Sequence, residues 1–294
     1  MEPLPISEAI DLPRKKYGEY QEANKLYKTK NGELLLVSKN DEFNENKLYI
    51  LNKIEIINNE RKIKIEKEIN ILKEIDSKYI MPIIEHFTIN EQNKEYYCII
   101  LNNYESNLSK IIYETNFLNS RNIWKFFIQI IFALNPLNAK KFLSENINLS
   151  PEIIYIDEKN NIKIGGIGIS LDIENRKKSE LDILSYNSPE IIKGENNDEK
   201  NIMWTAGCIL FELAFKKRVF DNKNYKALEH SILRLEYELP YDCEKEFNLI
   251  ISKLLCVKKN RLSITDLISE GNFKYKIIEL NLFNEILKTN LQGK

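Results

Sequence analysis

The chain has 294 residues, of which 43% are hydrophobic and 10% aromatic, which is enough apolar material for a folded core and excludes a disordered chain. Its formal net charge is −1, so the sequence predicts no general attraction to nucleic acid or to an anionic membrane, although a local charged patch remains open. We therefore expect a folded protein that has no nucleic-acid partner.

The first hundred residues show mainly strand patterns. Residues 1–24 contain three prolines and are interpreted as an extension. Residues 26–30 and 33–38 then flank Asn31-Gly32, the dipeptide that a two-residue hairpin turn prefers. Apolar and alternating patterns predict three further strands, and a spacing of three to four residues predicts one helix. These predicted elements are strands over residues 48–57, 81–87 and 96–101, and a helix over residues 60–75.

After residue 102 the patterns become mostly helical. The longest predicted helix covers residues 120–143, and a strand pair is predicted at 153–157 and 161–164. Further predicted helices cover residues 202–214, 225–235, 245–255, 264–270 and 275–291. A β-rich part followed by a larger α-rich part predicts an α+β fold, one of several that the pattern alone allows.

Targeting and metal-binding signals are missing from the sequence. Residues 1–20 lack the apolar core of a signal peptide, and the longest apolar run, residues 126–134, is far shorter than the ~20 residues of a membrane span. The four cysteines have no CxxC spacing, and the chain has two histidines. We therefore expect a cytoplasmic, intracellular protein with reduced cysteines, no metal site, no cofactor and no membrane insertion.

Six stretches match, in order and spacing, the motifs of one enzyme family. They are residues 48–54 (LYILNKI), 68–72 (EINIL), 161–165 (NIKIG), 186–191 (YNSPEI), 203–213 (MWTAGCILFEL) and 259–264 (KNRLSI). Together they resemble a protein kinase, from the strand that carries the nucleotide-binding lysine to the last kinase helix. Residues 220–235 and 267–273 are similar to the NimA-related branch in particular.

The resemblance implies a bilobal α+β kinase-like fold over residues 25–285. A β-rich N-lobe is expected at residues 25–101 and an α-helical C-lobe at 104–285. Residues 1–24 would then be an N-terminal extension, and residues 286–294 a C-terminal tail.

Two nucleotide-binding parts of the kinase pattern are altered. The glycine-rich loop is replaced by the Asn31-Gly32 turn, which is too short to fold over a triphosphate. The lysine that pairs with phosphates aligns with Asn52. Lys53 is adjacent, but neighbouring strand residues point to opposite faces, so it is expected to face away unless a one-residue bulge turns it back.

The catalytic positions are altered as well. In the catalytic loop the base aspartate becomes Asn148, the lysine becomes Ser150, and the metal-binding asparagine becomes Ile153. A shifted frame would place Asn146 at the base position, which is also an amide. The magnesium-binding aspartate of the DFG motif becomes Gly166.

The structural positions of the family are retained. Glu190 and Arg261 match a buried ion pair that ties the activation segment to the C-lobe. Glu68 matches the lysine-pairing glutamate. Without that lysine, we interpret Glu68 as a structural residue on the helix surface. Ile147 replaces the arginine that binds the phosphate group of a phosphorylated activation segment. A phosphorylated side chain in that segment is therefore expected to lack its charged partner.

The altered residues stand at the catalytic positions, whereas the residues that stabilise the fold are retained. This pattern predicts a catalytically inactive kinase homologue and not an enzyme. Its expected role is that of a scaffold or allosteric component in a protein assembly, and the family resemblance suggests a cytoskeletal setting. Its expected surfaces are the N-terminal extension, the activation segment and the terminal helix. A nucleotide-binding switch without phosphotransfer is the alternative, and an atypical kinase with rearranged catalytic residues is the third hypothesis.

Overall fold

The computed structural model describes residues 15–29, 32–40, 46–114, 118–142, 149–165, 179–240 and 244–282. These residues fall into two units. The sheet unit contains the described residues up to Lys62 together with Ile83–Asn103, and the helical unit contains Ile63–Pro82 and the described residues from Tyr104 onward. The α+β class predicted from the sequence is confirmed.

The sheet unit is built on six antiparallel strands in the order β1-β2-β3-β4-β6-β5. The strands are β1 Lys16–Tyr17, β2 Tyr20–Thr29, β3 Gly32–Asn40, β4 Asn46–Glu55, β5 Ile83–Glu91 and β6 Lys94–Asn102.

The sheet begins earlier in the chain than predicted. Residues 15–24, expected in an extension, contribute β1 and the start of β2. Gly18 has a φ of 60°, which allows the tight turn between these strands. Tyr17 and Tyr20 on either side of it are both buried in the core of the sheet. Burial of two aromatic rings supplies the stabilisation that recruits this polar segment to the sheet.

The connection from β2 to β3 is as short as the sequence predicts. Thr29 pairs with Gly32, so residues 30 and 31 alone separate the paired strands. Gly32 also faces Ile54 of β4, and a Cβ on Gly32 would overlap the carbonyl oxygen of Lys53. Glycine at this position is therefore required by the close approach of two strands.

The helical unit contains ten α-helices among the described residues and a three-stranded antiparallel sheet. The helices are α1 Asn59–Glu74 (whose first turn lies in the sheet unit), α2 Leu108–Glu114, α3 Ser120–Ala139, α4 Glu180–Leu184, α5 Pro189–Ile192, α6 Glu199–Phe215, α7 Tyr225–Leu233, α8 Lys245–Leu254, α9 Ile264–Ser269 and α10 Gly271–Glu279. The strands are β7 Ser106–Asn107, β8 Ile154–Ile156 and β9 Ile162–Ile164. The predicted pair at 153–157 and 161–164 is thus observed as β8 and β9.

The core of the helical unit forms around α3 and α6. The side chain of Asn119 caps α3 by accepting from the backbone N–H of Asn122, and the helix behind it is apolar and buried along most of its length. Asp198 starts α6 with a reciprocal capping box. Gly207 lets α8 approach α6, because a Cβ there would lie 2.8 Å from the Cβ of Leu254. These two helices fix the frame on which the loops of the unit are held.

The last predicted helix is wrong in its bounds. The sequence predicts one helix over residues 275–291, whereas α10 covers Gly271–Glu279 and Asn281 has a φ of 56°. Residues 283–294 lie outside the described part of the chain. No helix in the described part is long and apolar enough to cross a membrane.

Candidate functional site

Asn52, which the sequence aligns with the nucleotide-binding lysine of the family, lies within β4. Asn52 pairs with Leu34 on one side and with Ile99 on the other, and its side chain is 1% exposed. Neither its amide nitrogen nor its amide oxygen has a hydrogen-bond partner among the described residues. A buried amide with both atoms unsatisfied costs free energy, and it is a group that a bound molecule could satisfy.

Lys53 lies on the other face of the same strand. The registers of β3–β4 and β4–β6 run through this position without a shift, so no bulge turns Lys53 back towards the face of Asn52. Its ammonium lies 2.6 Å from Glu91 and 3.5 Å from Glu33, and 4.2 Å from the centre of the Tyr96 ring. The sequence prediction that Lys53 faces away is confirmed.

The ion pairs hold Lys53 in its charged form. Burial disfavours the ammonium, but the contacts with Glu91 and Glu33 outweigh it, so the pKa of Lys53 lies above its ordinary value. Lys15 also contacts Glu91, and the hydrogen bonds from Lys15 and Lys53 hold the pKa of Glu91 below its ordinary value. Lys53, the sequence neighbour of Asn52, is therefore held in ion pairs with Glu91 and Glu33.

Two of the residues that the sequence aligns with the catalytic loop of the family, Ser150 and Ile153, are buried in the helical unit. Ser150 precedes a single 3₁₀ turn, Pro151–Ile153, and Ile153 is its last residue. Gly165 follows β9 and donates its backbone N–H to the carbonyl of Ile153 over 2.8 Å. Asn148 and Gly166, the other two altered positions, lie outside the described residues, as do Asn146 and Ile147.

Glu68 differs from its sequence-based interpretation. We placed it on the surface of its helix, but it is 6% exposed and lies on the buried side of α1 with Ile65 and Ile69. The helix spacing could have indicated this, since residues 65, 68 and 69 share one face. Burial of a carboxylate costs free energy unless the group is paired or hydrogen-bonded, so we interpret Glu68 as a residue that is held by its surroundings.

Glu190 and Arg261 form the buried ion pair that the family motifs predict. The two guanidinium nitrogens Nη1 and Nη2 contact the two carboxylate oxygens of Glu190, the second over 3.2 Å. Arg261 also donates to the carbonyl of Lys200 over 2.7 Å and to that of Cys256 over 2.9 Å. The guanidinium stacks over the ring of Trp204 at 5.0 Å. The ion pair therefore ties α5, which contains Glu190, to the segment between α8 and α9, which contains Arg261.

A second polar cluster lies around Glu212 of α6 and was missed by sequence reasoning. The carboxylate is 1% exposed and accepts hydroxyl hydrogen bonds of 2.5 Å from Tyr113 and Tyr186. Burial raises the pKa of Glu212 above its ordinary value, although the two hydroxyls act against the shift. Beside it, Arg218 contacts Asp182 at 2.6 Å and lies over the Tyr186 ring. Tyr113 and Glu212 are far apart in sequence, so no local pattern indicates this contact.

The described residues hold no group of three or more His, Cys, Asp or Glu side chains arranged to bind a metal. Cys98 and Cys208 are buried free thiols, and burial raises the pKa of Cys98 to about 12. Cys256 is also free and partly exposed, whereas Cys243 lies outside the described residues.

The fold and these motifs define a protein kinase domain, and comparison with known families agrees. The chain matches the protein kinase domain family over residues 28–273 and therefore belongs to that family. Among curated proteins it is 26% identical over 182 residues to "Probable serine/threonine-protein kinase nek2" of Dictyostelium discoideum. It is 30% identical over 118 residues to "Serine/threonine-protein kinase Nek10" of mouse and of human. The NimA-related resemblance is thus supported.

These relatives are longer than the aligned regions. The match covers 60% of this chain and 44% of the Dictyostelium protein, and 40% of this chain and 10% of each Nek10 protein. The comparisons therefore show a kinase-domain protein related to the Nek kinases.

The prediction that the chain is not an enzyme is wrong. The family match and three relatives named as serine/threonine-protein kinases point instead to a protein kinase. The prediction rested on the residues that occupy single motif positions. The whole kinase domain, matched from its first strands to its last helices, is the stronger observation.

Proposed function

We propose that this member of the protein kinase family serves as a binding component of a protein assembly, with its kinase domain as the platform that partners recognise. The proposal concerns binding and stands beside the phosphoryl-transfer activity to which the family points. Partner proteins in a larger assembly, a cytoskeletal one included, are its expected ligands.

One contrast carries the proposal. Glu190 and Arg261, whose ion pair stabilises the fold, contact each other through both carboxylate oxygens, and both residues are buried. By contrast, the position that the sequence aligns with the phosphate-pairing lysine holds the uncharged Asn52, and its neighbour Lys53 is held in ion pairs on the opposite face. The ion pair that stabilises the helical unit, and with it a surface for partners, is thus present. Asn52, in contrast, has no charge with which to bind a phosphate.

A second candidate function is nucleotide binding without metal, as a switch. The observation that favours it is the buried Asn52 amide, whose two polar atoms lack partners in the part of the chain that the structure describes. An amide can donate to and accept from a base or a ribose, but it cannot supply the positive charge that a lysine gives to phosphates. Such binding would therefore rest on the base or the ribose and not on the phosphates, where magnesium acts, so it is expected to be independent of magnesium.

The experiment that tests the binding role is recovery of the tagged full chain from its native cells, followed by mass spectrometry. We expect a stoichiometric set of companion proteins that survives washing at moderate salt. The matched control is the Glu190→Gln variant, which disturbs the fold-holding ion pair and should lose companions in proportion to its loss of folded protein. Recovery of the wild-type chain alone would contradict the proposal.

Nucleotide binding and catalysis are measured on the same preparation. A rise in melting temperature with ATP that is equal with and without magnesium, and absent in Asn52→Leu, supports the switch. Transfer of labelled phosphate from ATP to a serine-containing protein substrate measures the kinase activity directly. Asn52→Lys restores the family's lysine at this position and is expected to increase the magnesium-dependent part of either signal.

A further inference from the structure

One buried carboxylate connects two parts of the helical unit that are remote along the chain. Glu212 of α6 accepts a hydroxyl hydrogen bond from Tyr113, near the end of α2, and another from Tyr186, in the connection between α4 and α5. Among the described residues these two hydroxyls are the only hydrogen-bond donors to its side chain. Because Glu212 is 1% exposed, water cannot take the place of either hydroxyl.

Further polar contacts hold the segment 179–187, which contains α4 and Tyr186. Arg218 contacts Asp182 at 2.6 Å and lies over the ring of Tyr186 at 5.7 Å. Thr205 of α6 donates its hydroxyl to the carbonyl of Tyr186 over 3.1 Å. The helix α4 itself has five residues, which is too short for a helix to be stable alone. The tertiary contacts therefore decide how firmly this segment is held.

The charge of Glu212 joins the two hydroxyl contacts to each other. Burial raises the pKa of Glu212, and so does the nearby carboxylate of Glu152, whereas the hydroxyls of Tyr113 and Tyr186 and the charge of Arg218 lower it. Loss of one hydroxyl therefore drives Glu212 towards its neutral acid form. A neutral acceptor binds a hydroxyl more weakly than a carboxylate does. A change at either tyrosine thus alters the hydrogen bond of the other.

Five side chains make up this arrangement, and we call them the latch. They are Tyr113, Asp182, Tyr186, Glu212 and Arg218.

We propose that the latch lets α2 control how firmly the segment 179–187 is held on the helical unit. Tyr113 is the part of the latch that a ligand or a partner can reach, because it is 51% exposed whereas Glu212 and Tyr186 are buried. By the family motifs the segment 179–187 is the end of the activation segment, so the latch couples that end to a helix at the surface. The inference goes beyond the binding role proposed above and does not depend on it, because it concerns the isolated chain.

Hydrogen exchange of the full chain, followed by mass spectrometry, tests the latch. The variant Tyr113→Phe keeps the ring and loses only the hydroxyl. We expect the amides of the segment 179–187 to exchange roughly tenfold faster, the factor that corresponds to one hydrogen bond with a charged group. The amides of α3 should change by less than about twofold, since that helix opens with the whole unit. The matched control is Tyr275→Phe, which removes a hydroxyl from a tyrosine that is 64% exposed on α10 and should change neither region.

The coupling must also act in the reverse direction, because coupling between two sites is reciprocal. Asp182→Asn weakens the contact with Arg218 at the other end of the latch, and we expect the amides of α2 to exchange several-fold faster. The matched control is Asp266→Asn. Asp266 closes an equivalent capping box at the start of α9, but its ion pair, with Lys200, is long at 4.0 Å. This control should leave the exchange of α2 unchanged.

Two results would overturn the inference. One is exchange of the segment 179–187 in Tyr113→Phe that stays within about twofold of the wild-type chain, or that rises no more than the exchange of α3. Tyr113 would then be a structural contact without control over the segment. The other is an equal effect of Asp182→Asn and Asp266→Asn on α2, which would show that loss of a capping carboxylate, and not the latch, changes that helix.

Discussion

Replacing Glu190 by glutamine keeps the shape of the side chain but removes the negative charge that compensates Arg261. The arginine is 1% exposed and the glutamate 4%, so water cannot replace the lost partner. The carbonyls of Lys200 and Cys256 still accept from the guanidinium, but they carry only partial charge. Removing one partner of a buried ion pair typically costs ~3–5 kcal/mol. We expect Glu190→Gln to lower the free energy of unfolding of the helical unit by about that amount.

The measurement is urea unfolding followed by tryptophan fluorescence. Both tryptophans, Trp124 and Trp204, are buried in the helical unit, and Trp204 lies under the guanidinium, so the signal reports this unit. A loss of ~3–5 kcal/mol corresponds to a fall of roughly 6–20 °C in melting temperature, at the 2–4 °C per kcal/mol typical of chains of this size. The matched control is Glu74→Gln, which breaks an exposed ion pair with Lys140 and should cost less than about 1 kcal/mol.

The double variant Glu190→Met/Arg261→Met separates charge burial from packing. If the cost of Glu190→Gln comes from the uncompensated arginine, the double variant should be more stable than the single variant. The reasoning would be refuted if Glu190→Gln unfolded within about 1 kcal/mol of the wild-type chain, or no earlier than Glu74→Gln.

Three further substitutions test other parts of the structure. Gly32→Ala should destabilise the sheet unit by ~1–3 kcal/mol, because its Cβ would overlap the carbonyl of Lys53; unchanged urea midpoints would contradict this. Asn52→Leu should stabilise the ligand-free protein by ~1–3 kcal/mol, since it removes two buried polar atoms without partners, and thermal melting measures this. Burial raises the pKa of Glu212 above its ordinary value of 4.5, so its contribution to stability is fully present below that pH and is lost as the pH rises through the raised value. Glu212→Gln should therefore flatten the stability–pH curve from 4.5 upward, and an unchanged slope in urea titrations at several pH values would contradict the burial argument.

Some features of the candidate site could be predicted because they depend on short periodicities. The alternation of side chains along a strand placed Asn52 and Lys53 on opposite faces, and the continuous register of β4 confirms it. The order and spacing of six motifs predicted the kinase domain and paired Glu190 with Arg261, although 71 residues separate them. Motif spacing succeeds here because a fold constrains the same positions in every member of a family.

Other features depend on contacts that no local pattern contains. The enzyme prediction failed because it weighed single motif positions, and two of those, Asn148 and Gly166, lie outside the described residues. The surface position assigned to Glu68 failed because its burial depends on what packs over α1, which its own helix pattern only partly indicates.

The sequence by itself determined the family, the α+β class, the short β2–β3 connection and the residues at each motif position, because these follow from periodicity, turn chemistry and motif spacing. Only the tertiary structure decided that β1 joins the sheet and that Glu212 accepts two tyrosine hydroxyls. The tyrosine hydroxyls reach Glu212 from residues remote along the chain, and β1, although it pairs with its sequence neighbour β2, is held by the burial of Tyr17 and Tyr20. The energy of these contacts appears only once the chain is folded.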